Sequence, residues 1–193
     1  ADLLATADPS GWIEFQQQSL ALAAKHTHVL CCDISDFYPR VYHHRLENAL
    51  KKTGADDSVT VRIMRLLSRF SGGVSYGLPV GGPAARLLSE LILNRTDKML
   101  LTDRVVFCRF VDDYRIFTSS KAEAYQALLF LSQILLADEG LTLQRSKTRV
   151  LSRDEFVATS PLAEPPEDPD SEHAEARSLL RLRLRYDPYS PTA

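Results

Sequence analysis

The sequence predicts an α+β domain of the ferredoxin-like (split βαβ) type with flanking helices. Three observations carry that expectation. Short apolar runs suited to strands alternate with longer helical stretches in the order β-α-β-β-α-β. The two middle strands, within residues 103–117, read VVFCRFV, DD, YRIF, which is a tight hairpin with acids at its tip. The composition is that of an ordinary globular chain: 193 residues, 45% hydrophobic and 25% charged, enough to bury a core.

Residues 11–25 follow Pro9 and Ser10 and are rich in Leu, Ala and Gln, which predicts a first helix. Residues 28–34 form a short apolar run suited to a buried strand. A helix is expected over 42–53, stopped by Gly54, and another over 58–70, capped by Asp56 or Asp57. Residues 71–79 are a glycine-containing loop, Pro83 sits where a helix can begin, and 84–101 is strongly helical. After the hairpin, Ser119 and Ser120 can cap a long helix over 121–137 that ends near Gly140, and 142–151 should be extended. From 160 to 175 the composition shifts to four prolines and six acids without a lysine or arginine, the mark of a solvated linker or loop. The last stretch alternates Leu and Arg in its middle and is either a strand or the start of an amphipathic helix. The chain thus divides into an N-terminal helical segment (1–27), a main domain (28–159), an acidic Pro-rich linker or loop (160–176) and the start of a C-terminal region (177–193).

The formal net charge is −2, which excludes a strongly basic nucleic-acid coat but not a local basic groove. No stretch approaches the roughly 18 apolar residues of a membrane span. The first residues lack the basic start and apolar core of an export signal. A cytoplasmic protein with no membrane partner is expected. Cys31, Cys32 and Cys108 show no CxxC spacing, and adjacent strand residues point to opposite faces, so free thiols are expected rather than a disulfide or a structural zinc site.

In a split βαβ arrangement the end of the first strand and the hairpin tip come side by side, which brings Asp33 near Asp112 and Asp113. Several acids at one strand end repel each other unless a cation offsets them. Hard oxygen donors with few His or Cys nearby favour magnesium or manganese over zinc. Two such ions roughly 3.5–4 Å apart form the clamp used for in-line phosphoryl transfer.

Four segments in order resemble the catalytic motifs of reverse transcriptases. They are Asp33-Ile-Ser-Asp-Phe-Tyr-Pro39, Gly77-Leu-Pro-Val-Gly-Gly-Pro83, Phe110-Val-Asp-Asp-Tyr114 and Leu141-Thr-Leu-Gln-Arg-Ser-Lys147-Thr148. Each is weak alone; four in order with family spacing are specific. The run ISDFYP followed by VYHHRL, the PVGG in place of PQG and the terminal DPYSPTA most resemble bacterial abortive-infection and phage-defence enzymes of that family. The resemblance implies a polymerase palm, RNA-directed DNA synthesis from deoxynucleoside triphosphates, an RNA template and a DNA or RNA primer. It also implies that fingers and thumb regions belong to the same, longer chain.

Carried over by position, the resemblance assigns Asp33 and Asp112 as ligands of two Mg²⁺ ions, with Mn²⁺ as the alternative. The Ile34 carbonyl is a further ligand, and Asp113 completes the acidic triad. Tyr38 stands where the family places an aromatic wall against a 2′-hydroxyl, and Phe37 is its neighbour. Pro79, Val80 and Gly81 fall on the loop that lies along the nucleotide. Lys147 matches the lysine beside the leaving pyrophosphate. The family often has Gln where Val80 stands and Tyr where Phe110 stands, and valine cannot hydrogen-bond a base or sugar.

Arg62, Arg65 and Arg69 share one helix face, either a solvated surface or a track for template phosphates. Arg181, Arg183 and Arg185 either line a nucleic-acid channel or pair with the acidic linker, and Trp12 reads as a core or docking residue. His26, His28, His43 and His44 have no metal spacing and are given no site role. Alternatives to templated copying are untemplated or protein-primed DNA synthesis on the same palm, another nucleotidyl chemistry, or a non-catalytic palm acting as a binding module. Tyr38 argues against ribonucleotide substrates, the cyclase GGDEF signature is absent, and the intact acids with Lys147 argue against a relic.

Overall fold

The computed structural model describes residues 10–162. Most of the acidic linker, and all of the Leu/Arg stretch with Arg181, Arg183 and Arg185, lie outside the described residues. Four strands, β1 (His28–Asp33), β2 (Val106–Phe110), β3 (Asp113–Thr118) and β4 (Arg149–Ser152), form one antiparallel sheet in the order β2-β3-β1-β4. That is the split βαβ order expected from the sequence.

Among the described residues seven α-helices accompany the sheet: α1 (Ser10–Ala23), α2 (Phe37–Arg40), α3 (His43–Lys52), α4 (Asp57–Phe70), α5 (Pro83–Thr102), α6 (Lys121–Ile134) and α7 (Arg153–Thr159). Strand β1 is central, paired on both edges, so it is apolar nearly throughout. Its alternate residues feed two cores. Leu30 and Cys32 join Tyr114 and Ile116 against α3, α5 and α6, with Leu46, Leu93 and Leu131 fully buried there. Val29 joins Phe117 on the other face against Phe15 and Ala23 of α1 and Phe156 of α7.

The anticipated caps are present. The Asp56 side chain accepts from the Ser58 N–H at 2.6 Å, and Ser120 Oγ accepts from the Glu123 N–H at 3.2 Å. Four elements differ from expectation, the first being the short α2 (Phe37–Arg40), which no sequence pattern announces. The helix expected to run to 137 ends at Ile134 and loosens into a π turn, Leu135–Glu139, before Gly140 takes a left-handed φ of 68°. The stretch expected to be extended over 142–151 contains a 3₁₀ turn, Arg145–Lys147, before β4 begins. Helix α7 was not anticipated, although Ser152-Arg-Asp-Glu155 is a capping box: Ser152 Oγ accepts from the Glu155 N–H, and the Glu155 carboxylate accepts from the Ser152 N–H at 2.8 Å. Cys31, Cys32 and Cys108 are free thiols, and burial pushes Cys31 up to about 11 and Cys32 up to about 12. No described helix is long and apolar enough to cross a membrane.

Candidate active site

Strand β1 ends on Asp33, and the antiparallel register sets Asp33 directly opposite Asp113, the first residue of β3. Alternation places both on the sheet face shared with Val29 and Phe117. Phe110 pairs with Asp113, so the hairpin turn is the two-residue loop Val111–Asp112. The sequence suggested both acids at the tip; only Asp112 is in the turn, because Asp113 is taken into β3. The Asp112 carbonyl accepts the Ile34 N–H at 3.2 Å, tying the tip to the residue just past Asp33. Val111, β-branched and buried, has φ 55°, a left-handed conformation that costs about 1–3 kcal/mol for such a residue.

The chain beyond α6 returns along the end of β1. The Ser35 N–H donates to the Thr142 carbonyl at 2.8 Å and the Gln144 N–H to the Asp33 carbonyl at 2.7 Å. This pins the 3₁₀ turn beside Asp33, and Lys147 Nζ donates to Asp33 Oδ2 at 2.7 Å. Asp33, Ile34, Asp112, Asp113 and Lys147 therefore meet at one end of the sheet.

The electrostatics are those of a crowded acidic cluster. Burial, then the charge of Asp33, raises Asp112 to about 6. Burial, then Asp112 and Asp33, raises Asp113 to about 7. The hydrogen bond to Asp33 holds the Lys147 ammonium above its ordinary value. Arg115, two residues along β3 on the same face as Asp113, offsets part of the charge. It donates to Gln16 Oε1 at 2.9 Å and lies 4.3 Å from the Phe15 ring centroid.

The second expected group begins four residues past Asp33, on α2 and the loop docked against it. Phe37 and Tyr38 lie in α2 and are buried, with Tyr38 8% exposed. The loop after α4 is hydrogen-bonded onto this segment: Leu78 N–H to the Tyr38 carbonyl at 2.8 Å, and Gly77 N–H to the Val41 carbonyl at 2.9 Å. Gly77 has φ 102°, and a Cβ there would sit 3.7 Å from the Pro39 carbonyl. The His43 ring, with Nε2 2.8 Å from the Gly77 carbonyl, is therefore a structural brace. Pro79 is half-buried, while Val80 and Gly81 are exposed, Val80 at 69%. Arg62, Arg65 and Arg69 are exposed on α4, and no described hydrogen bond or ion pair joins them to the carboxylates. Trp12 packs edge-on to Phe110, with centroids 5.3 Å apart, on the strand leading into the turn.

Arg109 is a residue that the sequence pattern alone does not single out. Its side chain is 7% exposed and lies between Glu90 and Asp97 of α5, with Nη2 2.6 Å from Glu90 and 2.5 Å from Asp97. Nη1 also donates to the Val111 carbonyl at 2.7 Å. Tyr114, whose hydroxyl burial and Asp97 keep un-ionised, donates to Asp97 at 2.9 Å. The available signal was Glu90 and Asp97 seven apart, two turns along one helix face, with an arginine inside an otherwise apolar strand.

The donor set fits a hard divalent ion in part. Asp33 and Asp112 repel each other, and a dication would relieve that repulsion. Among the described residues, however, no three His, Cys, Asp or Glu side chains converge as a ready-made cage. Magnesium characteristically uses one or two carboxylates and takes its other ligands from water and substrate phosphates, which matches an open acidic pair.

A four-stranded antiparallel sheet with an acid at the end of its central strand and another in the adjoining hairpin turn defines the class: a polymerase palm. Residues 2–175 match the family described as Reverse transcriptase (RNA-dependent DNA polymerase), and the chain belongs to that family. No curated protein sequence matches. Among solved structures, telomerase from Candida albicans in complex with the TWJ fragment of telomeric RNA aligns with a TM-score of 0.54 at 14% identity, over 78% of this chain and 32% of that one. That likeness is one of fold, and this chain spans about a third of the telomerase chain.

Proposed function

We propose that the chain is the palm of an RNA-directed DNA polymerase that adds deoxynucleotides to a primer 3′-hydroxyl on an RNA template. The observation that carries this reading is the meeting of Asp33, Asp112 and Lys147 at one sheet end. Asp33 and Asp112 hold the metal pair, Mg²⁺ or Mn²⁺, with the Ile34 carbonyl and Asp113 completing the polar shell. When bound, these ions lower the pKa of the attacking hydroxyl and stabilise the leaving oxygen. Tyr38 supplies a flat wall beneath the incoming sugar, with Phe37 packed beside it, and excludes a 2′-hydroxyl. The backbone of Pro79, Val80 and Gly81 borders the nucleotide, and Lys147 offers positive charge or a proton to pyrophosphate. Arg62, Arg65 and Arg69 on exposed α4 are assigned to template phosphates.

Fingers and thumb regions of the same longer protein complete the enzyme, consistent with the third of the telomerase chain that this one spans. The RNA held by that telomerase supports an RNA template here. The wording of the motifs supports a setting in bacterial anti-phage defence in the cytoplasm. The test is nucleotide incorporation by the full-length protein with Mg²⁺, each deoxynucleotide singly and all four together, with and without a primed RNA template. Synthesis that requires template and primer bears the reading out. Synthesis without template replaces it by the untemplated or protein-primed mode, and no synthesis under any condition moves the palm to a binding role. Phage plating on cells carrying the wild-type or the Asp112→Asn protein tests the defence setting: equal plaque numbers contradict it.

A further inference from the structure

The catalytic hairpin holds a residue in a conformation it does not favour. Val111 is β-branched, and its φ of 55° lies in the left-handed region. Nothing in the two-residue turn itself compensates, since neither Val111 nor Asp112 is glycine or asparagine, the residues such turns favour. The Val111 carbonyl is instead gripped from outside the turn by Arg109 Nη1 at 2.7 Å. The guanidinium that does this cannot swing away. Its Nε donates to both Asp97 oxygens at 3.0 and 3.1 Å, and Nη1 and Nη2 form a fork with Glu90 at 2.9 and 2.6 Å. Both carboxylates belong to α5, the helix that follows the Gly77–Gly82 loop. Planar two-pronged pairing of this kind fixes orientation as well as distance.

We infer that Arg109 is a positioning residue: anchored on α5 through Glu90 and Asp97, it clamps Val111 in the left-handed turn and so sets the position of Asp112. Asp112 is the next residue, and its own carbonyl receives the Ile34 N–H at 3.2 Å, so the turn conformation also fixes Asp112 relative to the end of β1. Arg109 touches no reacting atom; it acts through Val111. A lysine in its place keeps the charge between Glu90 and Asp97 but cannot serve both carboxylates and the carbonyl with one fork. The inference rests on the polymerase reading only for its kinetic arm.

The test is a cycle of Arg109→Lys, Val111→Gly and the double variant in the full-length protein. Glycine adopts positive φ without penalty, so a turn made with glycine does not need the clamp. Arg109→Lys should lower kcat roughly tenfold to a hundredfold while the deoxynucleotide KM stays within about twofold. Adding Val111→Gly should restore kcat to within about threefold of Val111→Gly alone. Hydrogen exchange of peptides covering 106–118 should quicken in Arg109→Lys whether or not nucleotides are incorporated. If Arg109→Lys fails to fold, Asp97→Asn, which loosens the anchor and keeps its shape, takes its place in the cycle. A purely structural arginine would give a loss that tracks melting temperature and is not rescued by Val111→Gly, and that result overturns the inference. Unchanged exchange in the 106–118 peptides overturns it too. Quickened exchange with a wild type that synthesises nothing supports the clamp and removes the polymerase reading instead.

Discussion

Asp112→Asn removes one negative charge from a half-buried cluster while keeping the side chain's shape. In the metal-free protein burial, followed by the charge of Asp33, raises Asp112 from 3.8 to about 6. An acid whose folded pKa is raised is protonated more readily folded than unfolded. Below about pH 4 both states hold the proton and nothing is lost. As pH climbs through 4 to about 6 the unfolded state gives it up first, stability falls, and above about 6 the loss is complete. Two pKa units correspond to about 3 kcal/mol at most; solvent access and coupling to Asp33 and Asp113 reduce this to roughly 1–3 kcal/mol. For a domain of this size that is an increase of roughly 3–10 °C in melting temperature for the Asn variant at pH 8 in chelator. Melting curves of both proteins from pH 4 to 8 measure it directly. The gap should open with rising pH and narrow for wild type when Mg²⁺ is added. A variant that melts lower at pH 8, or shows the same offset at pH 4 and pH 8, refutes the picture of mutually repelling buried carboxylates.

The other expectations concern single side chains. Tyr38→Ala should raise ribonucleotide incorporation relative to deoxynucleotide, read from competing substrates; an unchanged ratio removes the wall role. Lys147 has a side chain 62% exposed, so Lys147→Gln should fold normally yet lower kcat by about tenfold to a hundredfold, and full activity would free it of any part in the chemistry. Leu131→Ala, fully buried in α6, should cost about 2–5 kcal/mol in a denaturant titration, and a loss under about 1 kcal/mol would contradict its place in the core.

The fold was legible where the sequence repeats a physical period. The apolar run of β1, the hairpin and the long α5 were read from pattern, and the caps at Asp56 and Ser120 from residue type. Asp33 and the two neighbouring acids were readable because charge at the end of an apolar strand is unusual. Their register was not, since strand pairing is a tertiary fact: only the structure moves Asp113 out of the turn and opposite Asp33. The short α2 lacks any local signal and is tied down by Gly77 and Leu78 donating to the Val41 and Tyr38 carbonyls; the π turn after α6 is closed by Gly140 and Leu141 donating to the Leu136 and Leu135 carbonyls. Helix α7 has one, the Ser152/Glu155 box, but it follows directly on a stretch whose own pattern is extended. Arg109 was hidden because its partners lie on α5, twelve and nineteen residues away.

The most direct measurement is single-turnover incorporation of one deoxynucleotide on a primed RNA template by the full-length protein, comparing wild type with Asp33→Asn and Asp112→Asn. The account predicts metal-dependent extension by wild type and a loss of at least about a thousandfold in both variants, with their folds intact by circular dichroism. Extension by both variants at wild-type rate would contradict the assignment of the chemistry to this end of the sheet.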